Sequence, residues 1–201
     1  MLSKPYKIGI TGCIGSGKSE VSRYLTSLDY PLIDADAISK EVVMPGEIGL
    51  IKLVETFGES ILNHDHTLNR KKLGELVFNN QFLLEQLNSV LHTIIRREIA
   101  NRLATYSTEP FVFIDVPLLF ETDSRSNYDE IVLVYAKPEI CLERIVKRDG
   151  ISSQLAKQKI DAQMDIEWKR SLSDTIFSNE GSIEQLHHQI EAYLVDLKKR
   201  I

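Results

Sequence analysis

Cysteine is scarce in this chain: two residues, Cys13 and Cys141, in 201. They stand far apart, and Cys13 lies inside a glycine-rich segment that a disulfide would distort. A disulfide-stapled secreted scaffold is therefore excluded, and a reducing, cytoplasmic setting is expected. No apolar run approaches the length of a membrane span. The start, Met-Leu-Ser-Lys-Pro-Tyr-Lys, lacks the apolar core of a secretory signal. Internal repeats, low-complexity tracts and long Gly/Pro/Ser linkers are missing too. There is no excess of positive charge. The formal net charge of −5 argues against nonspecific nucleic-acid binding as the main role. The five histidines have no Cys or Asp partners at zinc-site spacing. The single tryptophan, Trp168, suits a packing anchor as well as a base-stacking platform. What remains is an ordinary globular composition, 43% apolar. The length suits one α/β domain, with room for a small inserted or mobile subdomain.

Against this background one segment stands out. Residues 12–19 read Gly-Cys-Ile-Gly-Ser-Gly-Lys-Ser, the G-x-x-x-x-G-K-S pattern of a phosphate-binding loop. At an average glycine usage of about 7%, the four fixed positions arise by chance in roughly one chain in a hundred of this size. The flanks strengthen the match: the apolar stretch Tyr6–Ile10 suits a buried strand, and Ser19–Leu28 has helical periodicity. Gly12, Gly15 and Gly17 would let successive N–H groups of Cys13, Ile14 and Ser16 converge on one centre. The helix N-terminus adds positive charge there. Lys18 would reach the outer phosphates, and the Ser19 hydroxyl would ligate Mg²⁺. Cys13 stands near that positive helix end, a setting that can activate a thiol.

The rest of the chain alternates between strand and helix patterns. Tyr30–Ile33 is a second strand, followed by Asp34-Ala35-Asp36 and a helix from about Ala37 that Pro45-Gly46 stops. Ile48–Phe57 is amphipathic, and Asn63–His66 is a polar turn. From Arg70 to Tyr106 the pattern is helical, two or three helices, with apolar residues from Leu73 to Ile99 near i, i+3, i+4 spacing. Phe111–Val116 and Glu130–Tyr135 are continuous apolar strands. A helix opens at Lys137-Pro138 and runs through Arg148. Ser152–Met164 is a polar helix, Asp174–Phe177 a last strand, and Ser182–Lys199 a closing helix capped by Ser182. Five strands alternating with helices predict an α/β fold with a parallel sheet covered on both faces.

Three further features bear on chemistry. Asp34 and Asp36 follow the second strand, at the end where open parallel sheets face their ligands. A carboxylate there can take a proton from an attacking hydroxyl or cap the next helix, and two Asp residues allow both. Asp115 closes the Phe111–Val116 strand; it suits an acid holding Mg²⁺ through a water, or a plain polar strand end. Arg144 and Arg148 share a helix face. With Lys157, Lys159, Lys169 and Arg170 they suggest either a basic mobile lid over a triphosphate or a solvated face. A GTPase would carry an Asn-Lys-x-Asp segment, and the chain has none. These parts suggest a small-molecule kinase. The rivals are a kinase with another nucleoside or nucleotide acceptor, and a nucleotide-binding switch.

The sequence resembles the dephospho-CoA kinases. The resemblance rests on Ile10–Ser19, on Pro31–Asp36 with Glu41-Val42-Val43, and on Leu68-Asn69-Arg70, Leu91-His92 and Asp115–Glu121. It continues through Arg144 with Arg148-Asp149, Ala162-Gln163, and Asp174 with Asn179-Glu180-Gly181. It implies a P-loop NTPase fold with a parallel five-stranded sheet flanked by helices. The core would span about 1–58, 107–140 and 172–201, a helical substrate-binding part 59–106, and a lid 141–171. It further implies transfer of the ATP γ-phosphoryl group to the ribose 3′-hydroxyl of dephospho-CoA, with Mg²⁺ as cofactor. On this resemblance Asp36 is the base, Lys18, Arg144 and Arg148 assist, and Ile14–Ser19 cradle the triphosphate. Asn179 lies at the adenine, and Arg70, His92, Leu118 and Asp34 contact the acceptor. A monomer or weak homo-oligomer is expected. Three positions depart from the family pattern: Cys13 and Thr93 stand where Gly and Pro are usual, and Lys159 where Arg is common.

Overall fold

The computed structural model describes residues 4–78 and 80–201. Five strands, β1 (Tyr6–Gly12), β2 (Leu32–Asp34), β3 (Phe111–Asp115), β4 (Glu130–Tyr135) and β5 (Thr175–Ser178), form one sheet in the order β2-β3-β1-β4-β5. Central β1 runs parallel to β3, with Ile10 opposite Asp115, and parallel to β4, with Gly12 opposite Val134. β5 extends the sheet parallel to β4. Every residue of β3 and β4 is buried, which is why both are continuous rather than alternating apolar runs. The register brings Asp115 to the same edge of the sheet as the glycine-rich loop that leaves β1.

The chain divides into two compact units. The first comprises the described residues through Ile33 together with Tyr106–Ile201. Its helices are α1 (Lys18–Ser27), α6 (Pro138–Asp149), α7 (Ser153–Asp161), α8 (Ile166–Leu172) and α9 (Ile183–Arg200). Val21 and Leu25 of α1, and Leu186, Ile190, Leu194 and Leu197 of α9, pack on Ile8, Ile10, Phe113, Val132 and Val134 of the sheet. A smaller cluster joins Cys13, Leu133 and Tyr135 to Ile166 of α8. α9 starts with a reciprocal capping box between Ser182 and Gln185, and α6 with a proline at its first turn.

The second unit, Asp34–Thr105, is helical: α2 (Ala35–Glu41), α3 (Ile48–Phe57), α4 (Arg70–Phe78) and α5 (Gln81–Thr105). α2, α3 and α4 each pack on α5. α2 and α3 thus belong to the helical unit, which begins at Asp34. Gly49 lets α3 approach α2 closely, since a Cβ there would lie 2.2 Å from Val42 O. The expected apolar stripe along 73–99 is present but shallow. Leu73 and Val77 of α4 are buried, whereas α5 buries no residue fully.

Two elements differ from the sequence reading. The polar helix expected over 152–164 ends at Asp161, and a separate helix, α8, follows. Asp165 starts α8 by accepting hydrogen bonds from Glu167 N and Trp168 N. With only seven residues, α8 shows too little periodicity to stand out in sequence.

Candidate active site

The glycine-rich loop owes its shape to its neighbours as much as to its own torsions. Gly15 and Gly17 have φ of +83° and +92°. A Cβ on Gly15 would lie 2.7 Å from Cys141 O, and one on Gly17 would lie 2.0 Å from Asn179 Nδ2. Gly12 is needed for space: its Cβ would lie 2.5 Å from Ser16 Oγ and 2.9 Å from Val134 O. Ser16 Oγ, pressed against Gly12, is buried and has no hydrogen-bond partner among the described residues. Gly17 is the N-cap of α1 and supplies no side-chain cap. The amides at the start of α1 therefore lack the usual capping oxygen, and point where an anion is favoured.

Lys18 is folded onto the end of β3, where it forms a salt bridge to Asp115 Oδ1. Ser22 Oγ donates to Asp115 Oδ2 at 2.6 Å. Asp115 is thus buried with both oxygens engaged, and Lys18 is held at the mouth of the loop. Among the described residues no group of three or more His, Cys, Asp or Glu could hold a metal ion. Mg²⁺ does not require one: it takes one or two protein oxygens and fills its other positions with water and substrate phosphates. Ser19, exposed at the first turn of α1, and Asp115 are hard oxygen donors that fit this demand.

A cleft of about 740 Å³ opens beside the loop. It is lined by residues Gly12–Ile14, Gly15, Gly17–Glu20, Arg23, Pro117, Arg144, Lys147, Arg148 and Gln163. Five cations face it against one carboxylate, Glu20, a bias suited to a polyphosphate. Arg144 bridges two backbone carbonyls, donating to Gly15 O at 3.4 Å and Asn179 O at 2.9 Å. Asn179 is buried, and its Nδ2 donates to Ser16 O at 2.8 Å. In this structure both residues brace the loop's outer side. Arg148 is exposed and bonded to Asp149 through Nε and Nη2. Lys159, at the position where an arginine is common, bonds the same Asp149 at 3.0 Å. The hydrogen bonds from Arg148 and Lys159 pull the Asp149 carboxyl down to about 2.

The two thiols are not activated. Cys13 points into the small cluster with Leu133 and Ile166, and its Sγ donates to Met164 O at 3.6 Å. Burial pushes its pKa up, more than the nearby Lys169 lowers it. Burial likewise raises Cys141 to about 11. Proximity to a helix end therefore does not make Cys13 a thiolate, because its side chain faces the core rather than the amides.

In the helical unit the Asp34/Asp36 pair divides its roles. Asp34 is the N-cap of α2, accepting from Asp36 N at 2.8 Å and Ala37 N at 3.0 Å. The Asp36 carboxylate is exposed, with no hydrogen bond or ion pair among the described residues. His92 is half-buried on α5; burial first, then Arg96, lowers its pKa, so it is neutral at neutral pH. Arg70 is exposed at the start of α4. Leu118, in the first unit, is 44% exposed just beyond β3.

Sequence reasoning missed Arg23 as a cleft residue, and it placed Lys147 and Gln163 on the candidate lid helices without separating them from their neighbours. Arg23 could have been found as the residue one helical turn after Ser19; Gln163 reaches Ile14 N from 149 residues away and left no local signal. Lys169, expected either on a basic lid or on a solvated face, is instead fully buried against Glu121.

The family model for dephospho-CoA kinase matches residues 6–185. A dephospho-CoA kinase of Carboxydothermus hydrogenoformans is 42% identical over 185 residues, covering 91% of this chain and 90% of that protein. One from Bacillus thuringiensis is 41% identical over 189 residues, covering 93% and 94%. Among solved structures, a Thermus thermophilus protein matches with a TM-score of 0.85 at 34% identity, covering 97% and 99%. Dephospho-CoA kinase from Campylobacter jejuni matches at 0.72 and 29% identity, covering 96% and 97%. A match over nearly the whole chain, with relatives above 40% identity across their own lengths, places this protein in the dephospho-CoA kinase family.

Proposed function

We propose that the protein transfers the γ-phosphoryl group of ATP to the ribose 3′-hydroxyl of dephospho-CoA, giving coenzyme A and ADP. The observation that carries this reading is the cationic cleft at the phosphate loop, where Lys18, Arg23, Arg144, Lys147 and Arg148 line one wall system. The amides of Gly15–Ser19 hold the phosphates, and Lys18 exchanges Asp115 for their outer oxygens. Ser19, with Asp115 through water, would hold Mg²⁺, which neutralises phosphate charge when bound. Arg148, freed from Asp149, and Arg144 add charge at the transferring group. Asn179 acts on the nucleotide through the loop it braces. The lid is α7 with the exposed C-terminal end of α6, because α8 is packed against β4.

Asp36 is the base. Its partner Asp34 fills the cap, leaving the Asp36 carboxylate open to a hydroxyl. As the new O–P bond forms, the 3′-hydroxyl proton passes to Asp36. The bond to the bridging oxygen breaks, and ADP leaves with the electron pair. Arg70, His92 and Leu118 contact the acceptor, with neutral His92 serving as a hydrogen-bonding group rather than a cation. The helical unit carries the coenzyme-binding role. Catalysis is mostly positioning and charge neutralisation. Two soluble substrates and two free, buried thiols suit a cytoplasmic enzyme.

ADP release from Mg²⁺-ATP, followed with dephospho-CoA, nucleosides, nucleoside monophosphates and no acceptor, tests the reading. Dephospho-CoA should give the largest rate; release no faster than without acceptor would refute it. Asp36→Asn should lower turnover by about 10²-fold or more with ATP affinity retained. Unchanged turnover would return Asp36 to a structural role.

A further inference from the structure

Glu121 and Gln163 belong to sequence segments, Pro117–Glu121 and Ala162-Gln163, and the phosphoryl-transfer scheme gives neither of these two residues any work. Both converge on the turn between α7 and α8. Gln163 Oε1 accepts from Ile14 N at 2.8 Å, and Met164 O accepts from Cys13 Sγ at 3.6 Å. On the other side of the turn, Met164 N donates to Glu121 Oε1 at 3.1 Å. Lys169 Nζ lies 2.7 Å from the same oxygen, and the Lys169 side chain is fully buried. That contact is close but poorly aligned, and Lys169 Nζ has no hydrogen-bond partner among the described residues.

From this we infer that Gln163 is a positioning residue for the phosphate loop, and that the buried Lys169–Glu121 pair sets the turn that carries it. The inference rests on the loop being the ATP site. A buried ammonium is costly unless paired, and an apolar side chain would fill the same space at lower cost. What an apolar residue could not do is fix one oxygen of Glu121 under the Met164 amide. Glu121 then fixes the turn, and the turn holds the Cys13–Ile14 segment through two hydrogen bonds, one from the Ile14 amide and one from the Cys13 thiol. Without the Gln163 acceptor, the Ile14 amide is unrestrained, and the Gly15–Ser19 donors downstream must be ordered when nucleotide binds. That ordering weakens binding of ground state and transition state alike.

Gln163→Met keeps the length and removes the acceptor. One hydrogen bond of about 0.5–1.5 kcal/mol corresponds to about a 2- to 12-fold change in affinity. The expected result is a KM for ATP raised by that factor, with kcat within about 2-fold and KM for dephospho-CoA unchanged. Single changes at Lys169 or Glu121 leave a buried unpaired charge and can prevent folding, so two double variants carry the second arm. Lys169→Met/Glu121→Gln keeps an acceptor for Met164 N and should bind ATP like wild type. Lys169→Met/Glu121→Met removes it and should match Gln163→Met. Calorimetric ATP titration without acceptor reads nucleotide affinity even if dephospho-CoA proves not to be the substrate, which separates the two failures. Wild-type ATP affinity in Gln163→Met, a loss in kcat at constant KM, or equal affinities for the two double variants would overturn the inference.

Discussion

Gly17→Ala is the sharpest test of how the loop is held, because the structure supplies its own control. Gly17 (φ 92°, ψ 18°) and Gly150 (φ 64°, ψ 28°) both adopt the left-handed conformation. Alanine in that region costs about 1–2 kcal/mol at either site. At Gly150 a Cβ meets nothing within 4 Å, whereas at Gly17 it would lie 2.0 Å from Asn179 Nδ2. The Asn179 amide must move, and its 2.8 Å bond to Ser16 O breaks. Leaving a buried partner unsatisfied costs about 1–3 kcal/mol, so Gly17→Ala should cost about 2–5 kcal/mol. For a chain of this size about 1 kcal/mol lowers Tm by about 2–4 °C. Gly150→Ala should therefore lower Tm by about 2–8 °C and Gly17→Ala by about 4–20 °C. In an Asn179→Ala background the bond is already gone, and Gly17→Ala should then cost no more than the torsional part. Thermal and urea unfolding of wild type, Gly17→Ala, Asn179→Ala and the double variant complete a double-mutant cycle with a coupling of about 1–3 kcal/mol. Equal costs at Gly17 and Gly150, or strict additivity with Asn179→Ala, would show that Asn179 does not hold the loop.

Two further predictions concern titrating groups. With Cys141 at about 11, about one thiol in a thousand is ionised at pH 8. Native protein should resist iodoacetamide until denaturant is added, and rapid labelling of one thiol in the native state would contradict the buried placement of both. Asp149, lowered from 3.8 to about 2, is held charged by Arg148 and Lys159. Its folded value lies below the unfolded one, so the α6–α7 tie is fully present above the ordinary carboxylate range and is lost as pH falls through about 2. A carboxyl NMR titration should show that midpoint, moving up toward 3.8 in Arg148→Met/Lys159→Met. A wild-type midpoint already at 3.8 would remove the tie.

The features legible in the sequence are those whose chemistry is local. The phosphate loop has fixed residues inside one turn, and the strands β3 and β4 are unbroken apolar runs because both faces are covered. Asp34 and Asp36 show where this legibility ends. Both are carboxylates at a helix start, and backbone geometry decides that Asp34 caps while Asp36 does not. Lys169 is the larger departure: in sequence it continues a basic run of a kind usually solvated, yet it pairs with Glu121, 48 residues away, across the α8 packing. Cys13 was a question that sequence left open: a thiol near a helix end can be reactive, and side-chain direction, which sequence does not encode locally, turns it toward Ile166 instead.

These misses share a cause that bears on the loop itself. A G-x-x-x-x-G-K-S pattern suggests glycines chosen for torsional freedom, and Gly15 and Gly17 do use it. Each is also crowded by an atom from a distant segment: Cys141 O at Gly15, Asn179 Nδ2 at Gly17, and Val134 O at Gly12. Arg144 and Gln163 add hydrogen bonds to Gly15 O and Ile14 N. The donors that would meet a phosphate are therefore ordered from outside, by contacts to β4, α6, the α7–α8 turn and the segment after β5. A loop so enclosed has little room to reorganise on binding, which favours affinity through lower ordering cost rather than through extra contacts. It also means that substitutions in those supporting segments should affect nucleotide binding without touching the nucleotide.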